Sequence, residues 1–136
     1  MKIVELDWTQ TIPVRHEVLW PDMPEDFCHV PGDEDARHYG VEVDGKVVCV
    51  ASVFIDVEAK SARLRKFATV LEHRHLGYGS SVVEHILKQL PKMGIEYFWC
   101  DARESAMDFY HKFDMNAEGD AFYKSGVEYY KMGRHL

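Results

Sequence analysis

The chain is short of the residues that staple or metallate small proteins. Its three cysteines, Cys28, Cys49 and Cys100, are odd in number and far apart, and no Cys-x-x-Cys occurs. That spacing supports neither a disulfide framework nor a zinc ribbon. The acidic run Asp33-Glu34-Asp35 lacks the spaced alternation of a calcium loop, and the pair His73 and His75 has no evident third ligand, so no metal is expected. No apolar run approaches the ~20 residues of a membrane-spanning helix, and Met1–Asp7 carries no basic-then-apolar signal pattern. A cytoplasmic protein without a membrane partner is the expectation. Positive charge is in deficit, the formal net charge being −7. This argues against nucleic acid or an anionic membrane as the main partner and leaves room for a cationic substrate such as an amine. Internal repeats and low-complexity tracts are missing, and 136 residues suffice for one domain, 1–136, with its own core.

What is present is a succession of strand and helix signals. Lys2–Leu6 alternates as a strand should. Thr11 is placed to cap a helix with Pro13 in its first turn and Val14, Val18 and Leu19 on its apolar side. Arg15, in the middle of that helix, reads by itself as a surface charge. Pro21–Asp35 has no periodicity and is a loop, equally a binding wall or a solvated insertion. His38–Val43 and Lys46–Ile55 are strands joined by the hairpin signal Asp44-Gly45, and the second, nearly all apolar, is expected at the sheet centre. The next strand alternates from Ala62 until Lys66 falls where an apolar residue is due. Leu64 and Phe67 share a face only if one residue bulges, although a plain sheet edge reads similarly. A bulge would splay this strand from a neighbour and open its backbone to a ligand.

Val82, Val83, Ile86, Leu87 and Leu90 form a helical stripe, with Glu84, His85, Lys88 and Gln89 toward water and Pro91 as the stop. Ile95–Cys100 is an aromatic strand, expected beside the bulged one and parallel to it through the helical crossover. Glu104–Phe113 is a short helix, Asp114, Asn116 and Gly119 mark a turn, and Phe122–Tyr123 with Val127–Met132 form a closing hairpin around Ser125-Gly126. The order indicates one mixed α/β (α+β) sheet with flanking helices.

Between the bulged strand and its helix lies Glu72-His73-Arg74-His75-Leu76-Gly77-Tyr78-Gly79-Ser80. Gly77 and Gly79 let the backbone approach a diphosphate, Ser80 and Ser81 keep the helix mouth open, and Arg74 adds a permanent cation. The Gly-Lys-Ser/Thr ending of a P-loop is missing, and Val82 stands where a dinucleotide fingerprint has its third glycine. Alone, Gly-x-Gly after a strand is more often a tight turn.

Arg74-x-x-Gly77-x-Gly79 at a strand–helix junction resembles the acetyl-CoA motif of the GNAT (Gcn5-related N-acetyltransferase) superfamily. Downstream, Trp99-Cys100-Asp101-Ala102-Arg103 followed by Ala106-x-x-Phe109-Tyr110 resembles the strand-to-helix segment of a branch of small bacterial members. Arg15-x-x-Val18-Leu19, the Gly32–Asp35 loop, His38 and Gly126…Tyr130-x-Met132 carry the likeness over nearly the whole chain. It departs at Asp101, where the branch has Asn, at Tyr129, where it has His, and at Asp114-Met115, which replaces Gly-Phe. Asp tolerates the left-handed conformation better than most residues, and Met fills irregular apolar holes.

The resemblance implies the GNAT acyl-CoA N-acyltransferase fold, with acetyl-CoA as co-substrate and no metal. Backbone groups of Ala68, Thr69 and Val70 would pair with the pantetheine arm as an added strand, and N–H groups from Arg74, His75, Leu76, Gly77, Tyr78, Gly79 and Ser80 would bind the pyrophosphate. Tyr110, by periodicity alone a core tyrosine, becomes the proton donor to the departing thiolate. The implied acceptor is a small-molecule amine or a protein amino group that attacks the thioester directly, with Arg15, His38, Arg65 and Asp101 toward it; a homodimer is compatible with this. Many superfamily members place a glutamate base on the central strand, but Arg63, Arg65 and Lys66 occupy it here, and the concentration of arginine could instead meet an anionic part of the substrate. Glu72, Asp101, His38 and His111 are the remaining candidate bases. A GNAT-fold module that senses acyl-CoA without turnover is the competing reading, and an unrelated nucleotide-phosphate α/β protein is a third.

Overall fold

A computed structural model describes residues 1–136. Seven strands form one sheet in the order β1-β2-β3-β4-β5-β7-β6. They are β1 (Lys2–Leu6), β2 (Arg37–Val43), β3 (Lys46–Asp56), β4 (Ser61–Thr69), β5 (Tyr97–Arg103), β6 (Asn116–Lys124) and β7 (Val127–His135). Helix α1 (Ile12–Leu19) precedes β2, α2 (Tyr78–Gln89) crosses over from β4 to β5, and α3 (Met107–His111) follows β5. Only β4 and β5 pair in parallel, as a helical crossover requires; every other neighbouring pair is antiparallel.

The β2–β3 hairpin turns at Asp44 and Gly45, both left-handed (φ 50° and 78°), the geometry that Asp-Gly favours. Strand β3 is buried on both faces from Val48 to Val53. Ser52 looks toward α1, where Arg15 bonds its hydroxyl. Ala51 lies opposite Tyr39, whose ring meets His85 of α2, so the two helices cover opposite faces of the sheet. Val82, Val83 and Ile86 are fully buried under α2, at roughly 1.5–3 kcal/mol of transfer free energy each.

The break at Lys66 is a bulge. Ser52 pairs with Arg65 and Val50 with Ala68, so β4 carries one residue more than β3 across that interval, and Lys66 adopts φ 52° to absorb it. The parallel ladder with β5 holds at Ser61, Ala62 and Arg63 and then stops. Beyond Arg63 the two strands diverge and leave a V-shaped gap.

Some elements sit differently from their sequence signals. The Thr11 hydroxyl donates back to Trp8 O (2.6 Å) within a 3-10 turn, Trp8–Thr11, instead of capping α1. His85 is half-buried against Tyr39 and does not face water freely. Strand β5 starts at Tyr97 and runs on to Arg103, later than expected at both ends, and α3 is shortened by the 3-10 turn Glu104–Ala106 before it. β6 starts at Asn116 because Asn116–Asp120 is an exposed edge segment, where polar residues and a register break at Gly119 mimic a loop in sequence.

Candidate active site

Divergence of β4 from β5 creates a cleft of about 700 Å³ on the α2 side of the gap. Its walls include Phe67, Ala68 and Thr69 of β4, His73 to His75 and Gly77 to Ser80 of the turn, and Ala106, Phe109, Tyr110 and Lys112 around α3. Backbone polarity on the β4 wall follows from register. Val70 N–H donates to Val48 O (2.9 Å), so Thr69 and Cys49 form a non-bonded pair in the antiparallel alternation. The N–H and C=O of Thr69 therefore point into the gap, and Phe67, two residues earlier, has the same sense. Arg74 Nε confirms the direction by donating to Thr69 O (2.9 Å).

Three of the expected backbone contacts are corrected by that geometry. Val70 is 3% exposed; its N–H is spent on Val48 and its C=O accepts from His73 N–H (3.0 Å), so it has nothing to offer a ligand. Arg74 N–H donates to Leu71 O (3.3 Å) and its Nε to Thr69 O, which leaves the two Nη groups of the guanidinium as its free part. Ala68 belongs by the same alternation to β3, opposite Val50.

The turn is otherwise an open donor array. The N–H groups of His75, Leu76, Gly77, Tyr78, Gly79 and Ser80 have no intrachain partner; the first helical bond of this region is Ser81 N–H to Gly77 O (3.0 Å). Gly77 caps α2 at φ 83°, and His75 at φ 63° turns the chain into it. These unpaired donors and the positive end of α2 converge on one point, the arrangement that accepts phosphate oxygens. At Gly79 a Cβ would lie 3.0 Å from the Phe67 ring, so this residue is small because β4 packs close against the helix mouth.

A second cavity, about 410 Å³, opens on the other side of the gap. Leu19 and Trp20 from the end of α1, Arg65 and Lys66 of β4, Asp101 and Arg103 of β5 and Tyr129 of β7 contribute to it. Both cavities share Phe67, Ala106 and Tyr110, so these residues stand where the two compartments meet. Tyr110 is 8% exposed. Burial, and then the neighbouring Cys100 thiol, push its phenol well above the usual 10.0, so it holds its proton. Burial likewise pushes the Cys100 thiol up to about 12.

Charges in the second cavity are unevenly balanced. Asp101 Oδ2 accepts from Arg63 Nη2 (2.8 Å) and has Lys124 Nζ at 3.6 Å. Arg63 also lies over the Trp99 ring (4.6 Å), with Lys131 over the same ring (4.8 Å). Burial and the adjacent arginines lower the pKa of Lys66, and burial and Arg63 lower that of Arg65.

Arg15 and His38 are not in either cavity, contrary to both the surface reading of Arg15 and the acceptor role implied for the pair. Arg15 is completely buried: Nη1 donates to Asp33 Oδ2 (2.7 Å) and Cys28 O (3.0 Å), and Nη2 to Asp33 Oδ1 (2.9 Å) and Ser52 Oγ (2.8 Å). His38 joins the same cluster through Ser52 Oγ (2.8 Å) and Asp33 O (2.8 Å). Burial alone would raise the Asp33 carboxyl, but bonds from Arg15 and Val30 N–H outweigh it and hold it below its usual value. The cluster ties the 21–35 loop to β3. Glu72 and His111 are exposed and line neither cavity, so Asp101 is the one candidate base that reaches the second cavity. No three His, Cys, Asp or Glu side chains stand close enough to share a metal ion, and no helix is long and apolar enough to cross a membrane. Phe67, Lys66, Tyr129 and Lys112 are lining residues that the sequence reading left out; only the period break beside Lys66 and Phe67 pointed to any of them.

Comparison with known proteins agrees with this geometry. Residues 1–115 match the Acetyltransferase (GNAT) family. An uncharacterized N-acetyltransferase of Bacillus subtilis (strain 168), YitI, is 28% identical over 143 residues, covering 100% of this chain and 93% of that protein. The solved ribosomal-protein-S18-alanine N-acetyltransferase from Escherichia coli superposes with a TM-score of 0.80 at 16% identity, over 98% of this chain and 92% of that one. The PaiA N-acetyltransferase from Thermoplasma acidophilum, solved in complex with coenzyme A, gives a TM-score of 0.71 at 16% identity over the full length of both chains. At such identities the likeness to solved structures is one of fold.

Proposed function

The chain belongs to the GNAT acetyltransferase family, and from that premise we propose that residues 1–136 form a single domain that moves an acetyl group from acetyl-CoA to a primary amine. One observation carries the reading: a cleft lined by unpaired backbone donors and an acceptor-sized cavity meet at one protonated tyrosine. The donor side fits coenzyme A. N–H groups from His75 to Ser80, with the Nη groups of Arg74, would hold the pyrophosphate, and the gap-facing backbone of Phe67 and the Thr69 N–H would pair with the pantetheine amides. Phe67 and Phe109, with ring centroids 5.8 Å apart, give the arm an apolar wall.

Bound there, acetyl-CoA supplies a thioester for direct attack by the amine nitrogen. The N–C bond forms as the C–S bond breaks, the electron pair goes to sulfur, and the nitrogen loses a proton. Tyr110 keeps its proton at neutral pH and hydrogen-bonds the departing sulfur. Asp101 lines the acceptor cavity, paired with Arg63 and Lys124; an acceptor arriving as an ammonium first gives one proton to water through the open cavity mouth, which frees the lone pair for attack, and gives the second proton the same way as the amide forms. A relay through an acetyl-cysteine is disfavoured because burial holds the cavity-lining Cys100 as a thiol, with a pKa of about 12.

Calorimetry with acetyl-CoA and with ATP, followed by thiol release across an amine panel, tests this. Acetyl-CoA is expected to bind, ATP to bind far more weakly, and thiol release to require an amine. Binding without turnover on any amine would replace the enzyme with a coenzyme A-binding module, and preference for ATP would end the reading altogether.

A further inference from the structure

We propose that the second cavity takes an amine that also bears an anionic group, carboxylate or phosphate, and that Arg65 and Lys66 are the residues that hold the anion. This rests on the acetyl-transfer reading above and names the acceptor class for that same site.

The argument starts from which cations are already neutralised. Arg15 is matched by Asp33 and Arg63 by Asp101, while Lys124 shares Asp101. Arg65, Lys66 and Arg103 line the cavity, and none has a carboxylate within 4.0 Å; Arg103 is exposed to solvent, whereas Arg65 and Lys66 are half-buried. Their contacts are aromatic instead: the Arg65 guanidinium lies 5.1 Å from the Phe54 ring centroid and Lys66 Nζ 4.8 Å from that of Trp20. In a chain of net charge −7, two adjacent half-buried cations without a counter-ion run against the global balance. They also repel each other: burial comes first in depressing Lys66, and Arg65 has the largest effect of several cations that add to it.

An anion in the cavity relieves both the burial and the repulsion, whereas a second cation would aggravate them. The bulge keeps the pair in place. Lys66 holds a left-handed backbone (φ 52°), uncommon for a residue with a long side chain, and this puts consecutive residues 65 and 66 on the wall of one cavity where a regular strand would send them to opposite faces. Asp101 lines the same cavity next to Cys100 and Tyr110. The acceptor's amine end therefore lies toward the reacting tyrosine and its anion end toward the bulge.

Thiol release from acetyl-CoA should be followed with propylamine, 1,3-diaminopropane, 3-aminopropanoate and 2-aminoethyl phosphate. The anionic amines are expected to exceed propylamine in kcat/KM by about tenfold or more, the scale of one hydrogen bond to a charged group. Arg65→Gln should bring that ratio to within about threefold of one, while Arg65→Lys keeps most of it. The better of the two anionic amines identifies carboxylate or phosphate as the natural group. Equal or better use of propylamine or the diamine by the parent protein, or an unchanged ratio in Arg65→Gln, overturns the inference and leaves acetyl transfer standing. Calorimetry of coenzyme A-loaded protein with N-acetyl-3-aminopropanoate and N-propylacetamide supplies a readout without turnover. Tighter binding of the carboxylate is expected, and equal or undetectable binding of both overturns the inference. Tighter binding of the carboxylate with no amine turned over would retain the anion site while sinking the acetyl-transfer reading.

Discussion

Tyr110→Phe is the perturbation that separates a reacting tyrosine from a core one. The ring's packing survives the change, including its edge contact with Phe109 at 5.1 Å, and the deleted hydroxyl adjoins only the Cys100 thiol among titratable groups. Stability should fall by no more than about 1 kcal/mol, the worth of a single neutral hydrogen bond. The catalytic cost is set by the acidities. A reference thiol of about 8.5 and a phenol of about 10 already make full proton transfer uphill by about 2 kcal/mol, and burial of Tyr110 raises that barrier further. The hydroxyl therefore acts mainly as a donor to the developing thiolate, worth about 1.5–3 kcal/mol. This predicts a loss in kcat of about 10- to 150-fold, short of the ~10⁴-fold that strong general-acid catalysis can reach. Stopped-time thiol release at saturating amine, with acetyl-CoA varied, measures it: kcat should drop while the KM for acetyl-CoA stays within about twofold. A kcat within twofold of the parent, with unfolding midpoints matched, would refute the role of Tyr110.

Three further outcomes follow from the same geometry. Asp33→Asn removes the partner of a completely buried arginine and should cost about 3–5 kcal/mol in urea denaturation. Because the Asp33 pKa is lowered, its stabilisation in the parent is present above the unfolded value of 3.8 and lost as pH falls below it; this acid-limb loss should shrink in the variant. Cys100 works in the opposite sense: its pKa rises from 9.0 to about 12, so the folded state keeps a proton that the unfolded chain has lost. That stabilisation is whole below pH 9.0 and drains as pH climbs toward 12, at up to about 1.4 kcal/mol per unit, and Cys100→Ala should flatten the alkaline slope of denaturant stability. Gly77→Ala meets no atom within 4 Å but forces an L-residue into φ 83°, so about 1–2 kcal/mol of stability and part of the coenzyme A affinity should be lost together, read by thermal unfolding and calorimetry.

The two halves of the site differ in how far they could be read from sequence, and the difference is physical. Donor-side features are local: the misplaced Lys66 announced the bulge, the Asp44-Gly45 turn fixed one hairpin, and Arg74 to Ser80 is a contiguous run whose glycines need no distant partner to be meaningful. Asp114-Met115 belongs to the same class, with Asp114 left-handed at φ 60° and Met115 wholly buried, as a tolerant turn residue and a flexible apolar filler should be. Where a residue's state depends on distant partners, the reading failed. Arg15 looked like surface because its carboxylate partner lies 18 residues on, at Asp33 in an aperiodic loop, and its hydroxyl partner 37 residues on, at Ser52. The polar start of β6 looked like loop because an edge strand exposes its side chains and needs no apolar alternation.

The acceptor cavity is the extreme of that second class. Its walls come from the end of α1, from β4, β5 and β7, and from α3 and the turn before it, and each contributes only one or a few residues. Arg63 and Arg65 were visible as cations on a strand, but their difference was not: Arg63 is neutralised from β5 by Asp101, while Arg65 has only the face of Phe54. Net charge pointed toward a cationic acceptor; the pairing inside the cavity points toward one that carries an anion as well. A global charge of −7 is an average over a surface mostly remote from the reaction, whereas an acceptor meets the few charges left unpaired around Tyr110. The local balance is therefore the one that should set specificity.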